Sequence, residues 1–281
     1  MDLLRSGLFD RLERFYDAVP RDAARAEEHG GLVLFVRQGA GWPFYARPRL
    51  DANEAPSLAD VAAVRERQRE LGLPEAFEWV HETTPGLLAV ARSAGLAVLE
   101  APLMVLDPAA LPDPGTLTDV PVRMLDAAAP GFAADVAARG AVAAVGFASA
   151  GTARGEAGPA QRDAALAGLD DAALDEERVR TADGRRLSAL AGTPAEGALA
   201  SGMAMRVGEV AEIAGVATLP AARRRGLGAA VTAALARQLL AAGTELVFLS
   251  AGSEDIARVY LRVGFRRVGT ACIAEPAPVT P

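Results

Sequence analysis

The stretch that most constrains this chain begins at Glu212. It reads Glu-Ile-Ala-Gly-Val-Ala-Thr-Leu-Pro, then Ala-Ala-Arg-Arg-Arg-Gly-Leu-Gly-Ala-Ala, and continues as an apolar run to Ala241. The spacing predicts a strand over 209–219 and a helix over 227–241, joined by a basic, glycine-bearing loop. A strand feeding a helix in this way must lay the helix back on a sheet, which limits the fold to layered α/β or α+β architectures. The loop also has chemistry. The first turn of a helix presents unpaired N–H groups at the positive end of its dipole. Gly226 and Gly228 let an anion approach the backbone with no Cβ in the way, and Arg223, Arg224 and Arg225 add charge. The combination suits a pyrophosphate. A Walker loop is excluded, because all 29 basic residues are arginine and that loop needs lysine. A dinucleotide fingerprint is disfavoured: Val231 stands where its third glycine belongs, and a Pro-Arg loop intervenes. On these residues alone, a plain helix start with surface arginines stays open.

The elements around the loop read as follows. A helix is expected over 2–28, stopped by Gly30-Gly31, then strands at Leu32–Val36 and Trp42–Ala46. A helix over Ser57–Leu71, a strand Phe77–Val80, a helix from Thr84-Pro85 to Gly95 and a strand Val98–Leu106 come next. Pro108, Pro112 and Pro114 mark a boundary, giving domains 1–117 and 118–281. The second domain starts with a strand Val120–Met124 and Ala-rich helices near 127–149 and 160–180. Strands follow at Arg186–Ala191, Ala198–Arg206 and Glu209–Leu219. After the 227–241 helix come strand Leu246–Ser250, helix Glu254–Val263, strand Phe265–Ile273 and a loose tail, Pro276–Pro281. The whole is α+β: a mixed, mostly antiparallel sheet flanked by helices, preceded by a smaller α/β domain.

Composition removes other classes. A net charge of -7 gives no overall drive toward nucleic acid or an anionic membrane. Cys272 is the only cysteine, so no internal disulfide can form, and with only His29 and His81 beside it no usual zinc site is expected. Cys272 and His81 read as core residues. The first residues lack the apolar core of a signal peptide, and Phe132–Gly151, with Asp135 and Arg139 inside it, is too weak to span a bilayer. A cytoplasmic protein is expected, with no metal. The Ala, Arg and Gly excess, with no lysine, points to a high-GC bacterial genome.

Two motifs in order now carry a resemblance. Arg223-x-x-Gly226-x-Gly228 fits the Arg/Gln-x-x-Gly-x-Gly/Ala signature of the GNAT superfamily of N-acetyltransferases. Downstream, Ser253-Glu-Asp-Ile-Ala-Arg-Val-Tyr260-Leu-Arg-Val-Gly264-Phe265 resembles that family's second motif, with Tyr four residues before Gly. The resemblance covers about 120–275 and implies acetyl-CoA as co-substrate and an amine, on a small molecule or a peptide, as acceptor. It implies that the backbone of Val216, Ala217 and Leu219 pairs with the pantetheine arm. It also implies that the backbone N–H groups of Arg224, Arg225, Gly226, Leu227, Gly228 and Ala229 hold the pyrophosphate. Ser253 stands where many relatives carry an asparagine that contacts the cofactor; its other reading is a helix cap.

Tyr260 is the expected acid: a leaving thiolate needs a proton or a hydrogen bond, and a phenol can give one. Its other reading is a core Tyr with a satisfied hydroxyl. Glu212 is the expected base, reaching the attacking ammonium through a water, with a solvated strand carboxylate as the alternative. Glu209 is expected on the opposite face of the same strand. The loop 151–158 is expected to be mobile and to border the amine. The first 117 residues faintly echo the same fold, either as a degenerate acetyltransferase-like unit or as an unrelated α/β extension. A silent acyl-CoA sensor is the alternative to an enzyme, and a homodimer is compatible with either.

Overall fold

The computed structural model describes residues 2–39, 41, 43–50, 52 and 54–277. The chain divides into two compact units. Unit 1 comprises 1–103 and 268–281; unit 2 comprises 104–267.

Unit 1 opens with α1 (Asp2–Arg21), then β1 (Ala24–His29), β2 (Leu32–Arg37), β3 (Ala46–Pro48), α2 (Leu58–Glu70), β4 (Phe77–Val80), α3 (Gly86–Ser93) and β5 (Leu96–Leu106). The expected 2–28 helix is thus wrong beyond Arg21. Ala-Arg-Ala-Glu-Glu-His has helix-forming residues, but it pairs with β2, from Ala24↔Arg37 to His29↔Leu32, across the two-residue Gly30-Gly31 turn. Gly30 has φ +57, which suits glycine in such a hairpin. The expected Trp42–Ala46 strand is realised only from Ala46 on, and Trp42 lies outside the described residues. The last strand, β11 (Phe265–Pro276), runs further than expected; residues 278–281 of the predicted loose tail lie outside the described ones. Strand order in unit 1 is β1-β2-β3-β4-β11-β5, with β3 parallel to β4. Its core joins Leu32, Leu34, Val61, Val64, Phe77, Trp79 and Leu87 to Cys272. Cys272 is fully buried, and burial, ahead of Glu100 and Glu82, pushes its thiol up to about 12. That thiol is a core hydrophobe, as expected.

Unit 2 contains β6 (Val122–Met124), α4 (Phe132–Phe147), α5 (Pro159–Ala164), α6 (Asp171–Ala182), β7 (Arg186–Thr193), β8 (Gly197–Val207), β9 (Val210–Thr218), α7 (Leu227–Ala241), β10 (Leu246–Ser250) and α8 (Glu254–Leu261). The expected 160–180 helix is broken into α5 and α6. Asp170 starts α6 by accepting a hydrogen bond from the Ala173 N–H at 2.8 Å. Strand order in unit 2 is β10-β9-β8-β7-β6. The two faces of this sheet are covered differently. A Cβ at Gly202 would lie 2.8 Å from Val231 Cγ1, so that face meets α7. Ser201, its neighbour, points the other way and donates to the Arg139 carbonyl of α4 at 3.2 Å.

The two units share a sequence of elements. Each has an antiparallel meander of three strands, a helix, a strand parallel to the third and a second helix. They differ at the start of the first helix. In unit 1, Ser57 caps α2: its Oγ accepts the Asp60 N–H at 3.2 Å, and the Asp60 carboxylate accepts the Ser57 N–H at 2.8 Å and the Gly31 N–H at 3.3 Å. A capping box closes this helix start, and its carboxylate stands where it would repel an anion.

Candidate active site

The unit 2 helix start is open where unit 1's is closed. Thr218 ends β9, a 3-10 turn at Pro220–Ala222 follows, and Arg224 takes a left-handed φ of +66, uncommon for a residue with a side chain. Gly226 caps α7 with φ +78, and the first bond of the helix runs from the Ala230 N–H to the Gly226 carbonyl at 3.0 Å. Among the described residues, no acceptor takes the N–H groups of Arg224, Arg225, Gly226, Leu227, Gly228 or Ala229. A run of unpaired amides at a helix start is an anion nest.

The three arginines divide their work in a way the sequence does not reveal. Arg223 is only 9% exposed and points inward. Its guanidinium donates to the carbonyls of Gly146 (2.8 Å), Ser149 (2.6 Å), Ala153 (3.1 Å) and Thr218 (3.4 Å). It is a clamp between the end of α4 and the end of β9, and it adds no charge to the nest's mouth. Arg224 is exposed, while Arg225 pairs with Glu196 at 3.3 Å. The glycines divide likewise. A Cβ at Gly226 would lie 1.9 Å from the Leu117 carbonyl oxygen, so this glycine serves the turn and the packing behind it, not the approach of an anion. A Cβ at Gly228 would have room, 3.5 Å from Thr218 Oγ1 and 3.8 Å from Val216 Cγ1. Gly228 therefore looks onto the end of β9.

The loop 151–158, expected to be mobile, is fastened. The Gly155 N–H donates to the Pro220 carbonyl at 3.1 Å, the Ala221 N–H to the Ala157 carbonyl at 2.9 Å, and Arg223 holds Ala153. The loop buttresses the turn that leads into the nest, so its deletion would damage that turn and not the amine side alone. Arg223→Met is expected to destabilise unit 2 by about 2–3 kcal/mol, since it strands buried carbonyls. It should also release the 151–158 amides to faster hydrogen exchange. Unchanged exchange there would show that the clamp is not what holds the loop.

β9 supplies an open edge. It pairs in parallel with β10 only through Leu246↔Val210, Val247↔Ala211 and Phe248↔Glu212, yet it runs on to Thr218. On its other side the register with β8 slips: Met203 faces Ala214 and Ser201 faces Ala217, so Gly215 and Val216 together oppose Gly202. Gly215 has φ +61, which makes this a glycine-type bulge. The bulge twists β9 where it leaves β10. Val216 and Ala217 lie on this free stretch. Leu219 does not: its N–H donates to the Leu199 carbonyl at 2.9 Å and its carbonyl accepts the Ala222 N–H at 2.8 Å.

Glu212 is half-buried on β9 at the last residue before the strands part. Glu209, expected on the strand, sits in the turn before β9 and is exposed. Ser253 caps α8, with its Oγ accepting the Ile256 N–H at 3.3 Å. Tyr260 is 8% exposed, its ring edge-on to Phe265 at 6.1 Å. Among the described residues its hydroxyl has no hydrogen-bond partner, and it is not one of the sealed-in polar atoms. Burial pushes the phenol up to about 12.

Comparison with known proteins agrees with this architecture. Residues 193–273 match the family model described as FR47-like protein. A GCN5-related N-acetyltransferase from Kribbella flavida superposes with a TM-score of 0.65 at 23% identity, covering 94% of this chain and 95% of its own. A tandem GNAT protein from the clavulanic acid biosynthesis pathway gives 0.52 at 18% identity, covering 89% and 79%. A GCN5-related N-acetyltransferase-like protein from Streptococcus suis gives 0.53 at 10% identity, covering 96% and 98%. No curated protein matches the sequence. The chain has the GNAT fold, and its segment 193–273 carries the FR47-like match. Among the described residues no helix is long and apolar enough to cross a membrane, and no cluster of metal-ligating side chains is found.

Proposed function

We propose that this protein is an acetyl-CoA-dependent N-acetyltransferase that moves the acetyl group directly to an amine. The observation that carries the reading is the run of unpaired amides at 224–229 set against the free edge of β9. The amides and the exposed Arg224 suit a diphosphate. The free edge at Val216 and Ala217 suits an extended amide-bearing arm, received as an added strand. The nest fits the group on its own chemistry: six N–H donors that no acceptor takes among the described residues, and a Gly228 position with room beside it. When bound, acetyl-CoA supplies an activated thioester.

The chain's own residues then divide the reaction. Glu212, through a water, accepts the proton that an ammonium must lose before its nitrogen can attack. The nitrogen forms a bond to the acetyl carbon, and the carbon–sulfur bond breaks. Tyr260 offers its hydroxyl to the departing sulfur. Ser253 keeps α8 in place by its cap and retains an O–H for the cofactor.

Calorimetry with acetyl-CoA is expected to give one site per chain, because the unit 1 helix start is closed by the Ser57–Asp60 capping box and carries the Asp60 carboxylate. Thioester consumption against a broad amine panel then tests transfer. Two sites per chain would overturn the contrast between the units. No binding at all would overturn the reading, and binding without consumption by any amine would favour the sensor.

A further inference from the structure

One row of cross-strand neighbours in unit 2 is left half covered on the α4 side of the sheet. Arg186 of β7 faces Met205 of β8, and Met205 faces Glu212 of β9. Residues directly opposite one another share a face. The face is that of α4, because Ser188, two residues on from Arg186, accepts a hydrogen bond from Arg139 Nη1 at 2.5 Å. Arg186, Met203, Met205 and Glu212 are all half-buried there, whereas Ala204, Ala211 and Ile213 on the other face are buried.

Arg186 is unusually short of partners. Its Nε is sealed from solvent with no acceptor. Its Nη1 donates only to the Met203 sulfur at 3.1 Å and stands 3.9 Å from Glu177 Oε2. Among the described residues its Nη2 has no acceptor, and it is not one of the sealed atoms. Glu177 is committed elsewhere, to Arg139 Nη1 at 2.5 Å. The charges that act on Arg186 are Glu177, Arg139, Arg180 and Glu176, so with Arg186 itself three cations meet two anions. A buried guanidinium with spare donors and a positive surplus around it lacks an anion. A carboxylate is the planar partner that a guanidinium fork takes best.

We propose that Arg186 binds the carboxylate of the acceptor, which is therefore a free amino acid whose amine is turned toward Glu212. The inference rests on the N-acetyl transfer reading above. Two strand spacings, about 9–10 Å, separate the Arg186 and Glu212 backbones. Side chains from both ends leave room for an amine and a carboxylate a few bonds apart, each with its hydrogen bonds of about 2.8 Å. Met203 and Met205 lie between them and give an adaptable apolar floor for the acceptor's side chain. Arg186 is here a specificity residue: it touches the substrate but takes no part in bond making.

The test uses the full chain loaded with CoA and, as probes, the proteinogenic α-amino acids and their methyl esters. Binding is read by saturation-transfer NMR and transfer by acetylated product. At least one free acid is expected to bind, with its ester weaker by about 10–10²-fold, the range for a charge-assisted hydrogen bond. Arg186→Gln should erase that ratio by raising the acceptor KM, leaving acetyl-CoA affinity unchanged. Arg186→Lys, which keeps the charge but not the fork, should restore part of it. The acid-to-ester ratio of the unaltered protein stands even if a variant fails to fold. No acid bound, acid and ester bound alike, or a ratio that survives Arg186→Gln would overturn the assignment. Acid binding that depends on Arg186 but yields no acetylated product would leave this assignment standing and remove the transferase reading instead.

Discussion

Tyr260→Phe is expected to lower kcat by about 10²–10³-fold, the loss that follows removal of one donor to a developing anion. Acetyl-CoA affinity and the melting temperature should hardly move. The ring is buried edge-on to Phe265, and the hydroxyl has no partner among the described residues. Deleting it therefore strands no other group, and a phenyl ring fills the same space. The size of the effect follows from the acidity. Burial pushes the phenol up to about 12. A thiol of ordinary acidity, near 8.5, is a much stronger acid, so full proton transfer to the thiolate would be about 5 kcal/mol uphill. Tyr260 is better suited to hydrogen-bond the sulfur as charge gathers on it. The pH dependence carries the same signature. The phenol stays protonated until pH approaches about 12, so Tyr260 imposes no alkaline fall in kcat between pH 8 and 10. A falling limb in that range, absent from the Phe variant, would mean a Tyr of far lower pKa in the complex. An undiminished rate at saturating acetyl-CoA would make Tyr260 structural.

How much of this was legible from residues alone depends on whether the signal was local. The helix 227–241 and the strand 246–250 lie where the periodicity puts them, since caps, glycines and apolar spacing act within a few residues. Ala24–His29 reads as helix because its residues favour helices locally, and only pairing with β2 makes them a strand. The local clue is the Gly30-Gly31 pair, which suits a helix stop and a hairpin turn alike. The bulge at Gly215 has no sequence pattern beyond one glycine, yet it decides which way Val216 faces. Arg223 belongs to the motif, but the direction of its side chain depends on where α4 ends, 70 or more residues away along the chain. Arg186 carried no signal at all. Its importance lies in partners it lacks, and that shows only once the sheet has placed it in a row with Glu212.

Gly228→Asp should weaken acetyl-CoA binding by about 10²–10³-fold while slightly stabilising the fold, and the opposite signs make it the sharper probe of the nest. The two glycines of the motif are not equivalent. At Gly226 any side chain meets the Leu117 carbonyl at 1.9 Å and must also adopt φ +78, so substitution there breaks the turn and says little about the cofactor. At Gly228 the added Cβ touches only Thr218 Oγ1 and Val216 Cγ1, at ordinary contact distances. The position lies in the first turn of α7, where replacing glycine restricts the unfolded chain and a carboxylate meets the positive end of the dipole. A gain of about 0.5–1 kcal/mol in stability is expected from those two effects. The same carboxylate would lie beside the 224–229 amides and compete for them with a diphosphate. Two unit charges 4 Å apart at an effective dielectric near 20 repel by about 4 kcal/mol, which matches the upper end of the loss expected here, about 3–4 kcal/mol. Gly228→Asn has the same shape without the charge and should retain most of the affinity. If Asp and Asn weaken binding equally, the loss is steric and the diphosphate does not lie at this turn. If neither weakens it, the nest at 224–229 holds no cofactor, and the proposed activity loses the observation that carries it.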